Sequence, residues 1–104
     1  MSLISQNKEF LIFIKSLTPA KKNKVLKWAT KEQINTISEI VLNFLKRRLT
    51  AEEKVIEKLS SFRNKLRKLA LKKTPLKEKV KILTTKAGSK ALDILLSLVS
   101  SRIE

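Results

Sequence analysis

Cationic side chains are the residues of this sequence best suited to a chemical task, and they are concentrated in one third of the chain. Twelve Lys and Arg lie between positions 58 and 90, where Glu78 is the single acidic residue. Subtracting this acid from the twelve bases leaves +11 of the chain's formal net charge of +15. Because ammonium and guanidinium groups neutralise phosphates, the pattern predicts a binding surface for a polyanion.

The absence of counter-charges distinguishes this region from an ordinary solvated surface. A surface kept for solubility usually mixes both signs and forms i,i+4 ion pairs, but no acid occurs from Lys58 to Lys77. A smaller cluster, from Lys21 to Lys27, opens an earlier predicted helix. The candidate contact residues are the basic side chains of the two helices predicted in the main region and of the end of the helix before them: Lys58, Arg63, Lys65, Arg67, Lys68, Lys72, Lys73, Lys77, Lys81, Lys46, Arg47 and Arg48.

The expected mode of binding is neutralisation of phosphates by lysine and arginine. Such contacts give an affinity that falls steeply as the salt concentration rises and that depends little on the base sequence. We therefore predict a protein that binds or condenses double-stranded DNA without sequence preference. The alternative is a protein–protein interaction module, an assembly adaptor, whose acidic partner meets the same basic face.

Catalysis has little support in the composition. The chain has no His and no Cys, which removes the commonest general base, thiolate nucleophiles and the usual zinc ligands. Its nine acids are scattered apart from Glu52-Glu53, and no glycine-rich loop could cradle a phosphate. We expect no enzymatic activity, no cofactor and no metal site.

Aromatic residues are few and lie on apolar stripes. Core packing is the expected role of all five, so base stacking is not expected from them: Phe10, Phe13, Trp28, Phe44 and Phe62.

Helix-capping sequences recur along the chain and favour an all-α fold. With one Gly and two Pro, the chain can form few tight strand turns. Thr18-Pro19 and Thr74-Pro75 place an N-cap hydroxyl before a proline at the first helical position. Thr30 to Gln33 and Thr50 to Glu53 fit the capping box. Gly88 is expected to end a helix in the left-handed conformation.

These signals predict a single domain, 1–104. Its expected architecture is a compact bundle of five or six helices joined by short connections. The predicted helices span residues 6–17, 19–29, 31–48, 51–72, 75–86 and 90–102.

Three of these helices have informative apolar patterns. The helix 31–48 carries a broad apolar stripe and is expected to be the central core element. The helix 51–72 carries a narrow seam from Val55 to Leu69, so its cations should face solvent along one rigid row. The last helix is apolar on nearly all sides and needs cover from several neighbours or from a second protomer, which would make the chain a homodimer.

Hydropathy disfavours a segment that crosses a membrane. The most apolar stretch, Ala91 to Val99, is nine residues long and is interrupted by Asp93, whereas crossing a bilayer takes about 20 apolar residues. Binding of the basic region to a membrane surface is a further alternative, which the lack of Trp and Phe near the basic cluster, apart from Phe62, disfavours. The run Phe10 to Ile14 is too short for a signal peptide, so an intracellular location is expected.

Short segments between residues 39 and 96 form a recognisable pattern, which covers a little over half of the chain. They are Glu39 to Lys46, Leu49-Thr50, Leu66 to Ala70, Lys72-Lys73, Leu76-Lys77, Lys81 to Leu83, Lys86 to Gly88 and Leu95-Leu96. This pattern resembles a family of small basic proteins encoded by Polinton or Maverick transposons and by related adintoviruses. Arg47 stands where that family tends to have Gly, and Ala87-Gly88-Ser89 replaces a Gly-Gly-Phe.

The resemblance implies a context and no activity. A protein of a transposon or DNA virus is expected to be associated with the genome or the virion, and to act in the host nucleus or the virion. This context favours DNA over RNA as the nucleic acid, and virion assembly as the setting for the alternative adaptor role.

Overall fold

Helices joined by short turns make up the part of the chain that the computed structural model describes, which is the backbone of residues 3–46 and 51–103 and the side chains as far as Val99. No strand occurs in these residues, which confirms the predicted all-α class. Eight helices lie within them: α1 (Leu3–Gln6), α2 (Lys8–Lys15), α3 (Pro19–Lys27), α4 (Lys31–Leu45), α5 (Glu53–Ser60), α6 (Arg63–Ala70), α7 (Leu76–Leu83) and α8 (Lys86–Ile103).

Helix α4 lies at the centre of the bundle, as its apolar stripe predicts. Ile34, Ile37, Ile40 and Val41 are buried, and α4 packs against α1, α6, α7 and α8. The burial of one stripe against four neighbours makes α4 the element that positions the others. Helix α4 ends at Leu45 and so is shorter than predicted.

Two of the predicted N-caps are confirmed. The Thr30 hydroxyl accepts a hydrogen bond from the Gln33 backbone N–H at 3.1 Å, and the Gln33 side-chain oxygen accepts one from the Thr30 N–H at 2.9 Å. This reciprocal pair is the expected capping box. Thr18 caps α3, with Pro19 at the first helical position.

The other two predicted caps have a different outcome. The residue that precedes α7 is Pro75 in an extended conformation, with no side-chain cap, so the prediction of a cap by Thr74 is wrong. Glu52 precedes α5, and Thr50, the predicted cap there, lies outside the described residues.

The predicted long helix 51–72 is wrong, because it divides into α5 and α6. The Ser60 and Ser61 hydroxyls donate to the carbonyl oxygens of Glu57 and Lys58, at 2.7 and 3.1 Å. Serine hydroxyls that bind carbonyls of the preceding turn compete with the helical ladder, and Phe62 then leaves the helical conformation. The predicted 6–17 helix corresponds to the shorter α2, and a separate short helix, α1, precedes it. Asn7 lies between the two, and its side-chain amide donates to Leu3 O at 3.0 Å.

The apolar seam survives the break between α5 and α6. Leu59, Leu66 and Leu69 are buried, and Val55 and Phe62 pack against the core. The seam therefore orients both helices, although the cations outside it no longer form one straight row.

The junction between α7 and α8 differs from the prediction that Gly88 ends a helix. Gly88 lies inside α8 and ends no helix. The cap is Thr85, whose hydroxyl accepts from the Gly88 N–H at 3.0 Å and donates to Ile82 O at 2.8 Å. Gly88 is required for another reason, since a Cβ there would lie 1.9 Å from Ile82 O. Only glycine allows the two helix ends to approach this closely.

Helix α8 is covered by its own chain. Leu92, Leu95, Leu96 and Val99 are at most 2% exposed, and α8 packs against α2, α4 and α7. Burial of this helix therefore does not require a second protomer.

Candidate nucleic-acid interface

Four cations from α6 and α7 line one shallow groove, which we call the basic groove: Lys65, Lys68, Lys77 and Lys81. Helices α6 and α7 pack against each other after a turn of five residues, Leu71 to Pro75. The short connection brings together cations that are up to 16 positions apart in sequence. This grouping is the arrangement expected for a helix pair that presents two basic faces side by side.

One acid lies in the basic groove. Glu78 forms an ion pair with Lys68, with 3.8 Å between Nζ and the carboxylate, and both side chains are about half exposed. Exposed pairs of this length contribute at most about 1 kcal/mol, so a phosphate could displace the carboxylate at small cost. The groove retains a net charge of +3, from four bases and one acid.

Arg63 and Arg67 lie on the other flank of α6. Successive helical residues are rotated by about 100°, and the buried face of α6 is set by Leu66 and Leu69. Lys65 and Lys68 fall on one side of that face, whereas both arginines fall on the opposite side. The two arginines are exposed but lie outside the basic groove.

The remaining candidate cations are distributed over other surfaces. Lys58 lines a groove with Lys90, against Phe62 and Ile94. Lys72 and Lys73 are exposed in the turn between α6 and α7, and Lys46 is exposed at the end of α4. Arg47 and Arg48 lie outside the described residues. The ten candidates that the structure describes therefore do not all line one groove, and the basic groove brings four of them together.

Two lysines of the basic clusters are buried, and neither is among the twelve candidate contact residues. Lys22 is fully buried, and its Nζ donates to the Asp93 carboxylate and to Ser89 O, the latter at 3.3 Å. Lys79 is 3% exposed, and burial lowers the pKa of its ammonium from 10.5. Neither cation lines the basic groove. The burial of Lys79 could have been predicted from helical spacing, because Lys79 shares a face of α7 with the buried Ile82 and Leu83, three and four residues later.

The aromatic residues also depart from prediction. Trp28 is 89% exposed and Phe13 is 51% exposed, so the expectation that both pack in the core is wrong. Trp28 follows the last residue of α3, where no neighbouring helix covers it. With Phe10 and Val25 they line a separate shallow groove beside Lys24. Phe44 and Phe62 pack against the core as expected.

Other kinds of site find no geometric support in the described residues. None of the helices between residues 3–46 and 51–103 combines the length and apolar character needed to cross a bilayer. Across the same residues, no three acidic side chains come together as a metal site. Comparison of the chain with protein-family models, with curated proteins and with solved structures finds no match.

Proposed function

We propose that this chain is a non-enzymatic nucleic-acid-binding protein that binds double-stranded DNA without sequence preference through the basic groove. The observation that supports the proposal most directly is the convergence of Lys65, Lys68, Lys77 and Lys81 from two helices on one surface. Lysine ammonium groups on flexible stems suit phosphates, which need charge and not a fixed geometry. The groove has no aromatic or glutamine side chain for base recognition.

DNA is proposed ahead of RNA because the sequence resembles proteins of DNA transposons and DNA viruses. In that setting the protein would act in the host nucleus or the virion. The protein measures 33 × 28 × 27 Å along its principal axes, so one copy would cover about 8–10 base pairs. A duplex of about 30 base pairs would then bind about three copies.

The direct test is binding of a labelled duplex of that length, followed by fluorescence anisotropy at several salt concentrations. Contacts with four phosphates would give a slope of about −3.6 in log affinity against log salt. A variant with Lys65, Lys68, Lys77 and Lys81 all changed to Gln should lose about 100-fold or more in affinity at low salt, and most of that slope. An RNA duplex of the same length forms a second arm of the measurement.

The matched control removes the same charge from exposed lysines elsewhere. Changing Lys8, Lys21, Lys27 and Lys54 to Gln also lowers the net charge from +15 to +11, because four of 24 bases are lost in both variants. We expect this control to retain most of the affinity and of the salt slope. An equal loss in both variants would show that total charge, and not the groove, governs binding.

An acidic protein partner is the second candidate occupant of the same groove. Poly-glutamate of similar charge to the duplex provides the comparison. Binding of poly-glutamate that is tighter than binding of DNA, and that depends on the same four lysines, would favour an assembly adaptor. The burial of Leu92, Leu95, Leu96 and Val99 removes the apolar surface that an adaptor role through α8 would need.

A further inference from the structure

A second site is formed by a cavity of about 470 Å³ that is separate from the basic groove. It lies between α1, α4, α7 and the turn that precedes α7. Leu42 and Leu76 contribute apolar surface, and Lys31, Lys72 and Lys79 also line it. Cavities of 300–1,000 Å³ with apolar walls and a few polar groups are typical of sites for small molecules.

The most unusual lining residue is Lys79. Its side chain is 3% exposed, and its Nζ donates a hydrogen bond to the Ser38 hydroxyl at 3.0 Å. The Ser38 hydroxyl donates in turn to Ile34 O at 3.3 Å. An ammonium has three N–H donors. Among the side chains of residues 3–46 and 51–99, Ser38 is the hydrogen-bond partner of the Lys79 ammonium, and no carboxylate forms an ion pair with it.

Lys22, the other buried lysine, has a carboxylate partner, and Lys79 is not paired with one among the described side chains. Lys22 is paired with the carboxylate of Asp93 and with a backbone carbonyl. Removing an ammonium from water is costly unless an anion and hydrogen-bond acceptors replace the water. Glu39 is the acid that lines the cavity, and its carboxylate accepts a hydrogen bond from the Leu3 N–H at 3.1 Å. Among the side chains that the structure describes, Asp93 therefore supplies an anion for Lys22, and no carboxylate is paired with Lys79.

We infer that this cavity binds a small organic anion, with its carboxylate or phosphate group at Lys79 and its apolar part against Leu42 and Leu76. Lys31 and Lys72 add positive charge around the bound group. The three lysines and Glu39 give the lining a net charge of +2, which selects anions over cations. A nucleic-acid duplex is too wide to enter the cavity, so the ligand is distinct from the polyanion proposed for the basic groove.

Titration with two eight-carbon anions tests the inference. Octanoate carries the carboxylate and octyl phosphate carries the phosphate, while octanol and octyltrimethylammonium have the same apolar chain without the negative charge. In ¹H–¹⁵N spectra we expect at least one anion to shift the Ser38 and Lys79 amides saturably. The neutral and cationic compounds should bind at least about tenfold more weakly. The stronger of the two anions identifies the head group.

Two lysine substitutions distinguish the effect of this site from the effect of the protein's overall charge. Lys79→Met should weaken binding of the anion by about tenfold or more, because a charge-assisted hydrogen bond is lost. Lys54→Met removes the same charge from an exposed position that lines neither this cavity nor the basic groove, and it should leave the affinity within about twofold. Equal effects of the two substitutions, or octanol binding as tight as the anions, would overturn the inference.

A measurement on the unaltered chain covers the case in which Lys79→Met does not fold. In protein labelled with ¹³C at lysine Cε, the Lys79 signal should move with saturation by the anion and remain in place with octanol. No movement with either anion would count against the site. The lysines of the basic groove do not line this cavity, so failure here would leave the proposed DNA binding unaffected.

Discussion

Lys22 and Asp93 form an ion pair that joins α3 to α8 across 71 positions of sequence. The two partners are buried to different degrees, since the Lys22 side chain is fully buried and that of Asp93 is 49% exposed. Asp93 interrupts the most apolar stretch of the chain, and this contact explains why an acid is found there. Packing of the surrounding helices buries the Lys22 ammonium, and the ion pair with Asp93 compensates its charge.

The unequal burial predicts an unequal response to substitution. Asp93→Ala should destabilise the protein by about 2–4 kcal/mol, because it leaves a fully buried ammonium without its anion. Lys22→Met should cost less, because the Asp93 carboxylate can be hydrated and the methionine fills the same space. Urea unfolding of both variants and of the double variant measures these effects. If Lys22→Met lowered the free energy of unfolding more than Asp93→Ala, the buried Lys22 ammonium would not be the partner that most needs the ion pair.

Gly88→Ala is expected to destabilise the protein, although alanine is the better helix former. The new Cβ would lie 1.9 Å from Ile82 O, a backbone atom that cannot move without shifting α7. We expect the free energy of unfolding to fall by about 3 kcal/mol, whereas helix propensity alone would raise it by about 1 kcal/mol. Thermal unfolding followed by circular dichroism measures the sign directly. Lys90→Ala, at an exposed site of the same helix, is the control and should change stability by less than about 0.5 kcal/mol.

The burial of Lys79 predicts a specific dependence of stability on pH. Burial lowers the pKa of its ammonium in the folded state below the unfolded value of 10.5. Between these two pKa values the unfolded chain binds more protons, so the contribution of this group to the unfolding free energy rises with pH. Below the folded pKa the full cost of the buried charge is present.

Lys79→Met removes that cost and provides the comparison. Without added anions at neutral pH, we expect the variant to be more stable than the original chain by about 1 kcal/mol. This difference should become smaller as the pH is raised toward 10.5. Lys31, Lys72 and Glu39 line the same cavity and are present in both proteins, so their titration largely cancels in the comparison. A difference that stays constant between pH 7 and that value would contradict the prediction.

Trp28 provides an optical test of the exposed aromatic groove. It is the only tryptophan of the chain and is 89% exposed. Its fluorescence should resemble that of free tryptophan in water and be readily quenched by iodide, which is attracted by Lys24 and the neighbouring cations. Emission shifted to the blue, with protection from iodide, would show that another surface covers the indole in solution.

Much of the helical framework could be predicted because the relevant signals are local. The capping box at Thr30 involves atoms three residues apart, and the seam of Leu59, Leu66 and Leu69 needs only helical periodicity. Interruptions were harder to foresee. The break at Ser61 depends on serine hydroxyls binding nearby carbonyls, a choice that serine makes in some helices and not in others.

The candidate site shows the same division. The concentration of cations was evident from the sequence, and all ten of the candidate lysines and arginines that the structure describes are exposed. Their grouping was not evident, because it depends on how α6 and α7 pack after the turn. Lys65 and Lys77 share a groove, whereas Arg63 and Arg67, within a few residues of Lys65, lie on another flank.

The sequence by itself therefore determined the helical class, the central position of α4 and the excess of positive charge in residues 58–90. These properties follow from periodicity, capping and composition, all of which act over a few residues or over the chain as a whole. Only the tertiary structure decided which cations reach solvent. Lys22 and Lys79 have the same side chain as Lys77, yet the packing of neighbouring helices removes their ammonium groups from water. The sequence shows where each lysine occurs, but whether its ammonium group can reach a ligand depends on how the helices pack around it.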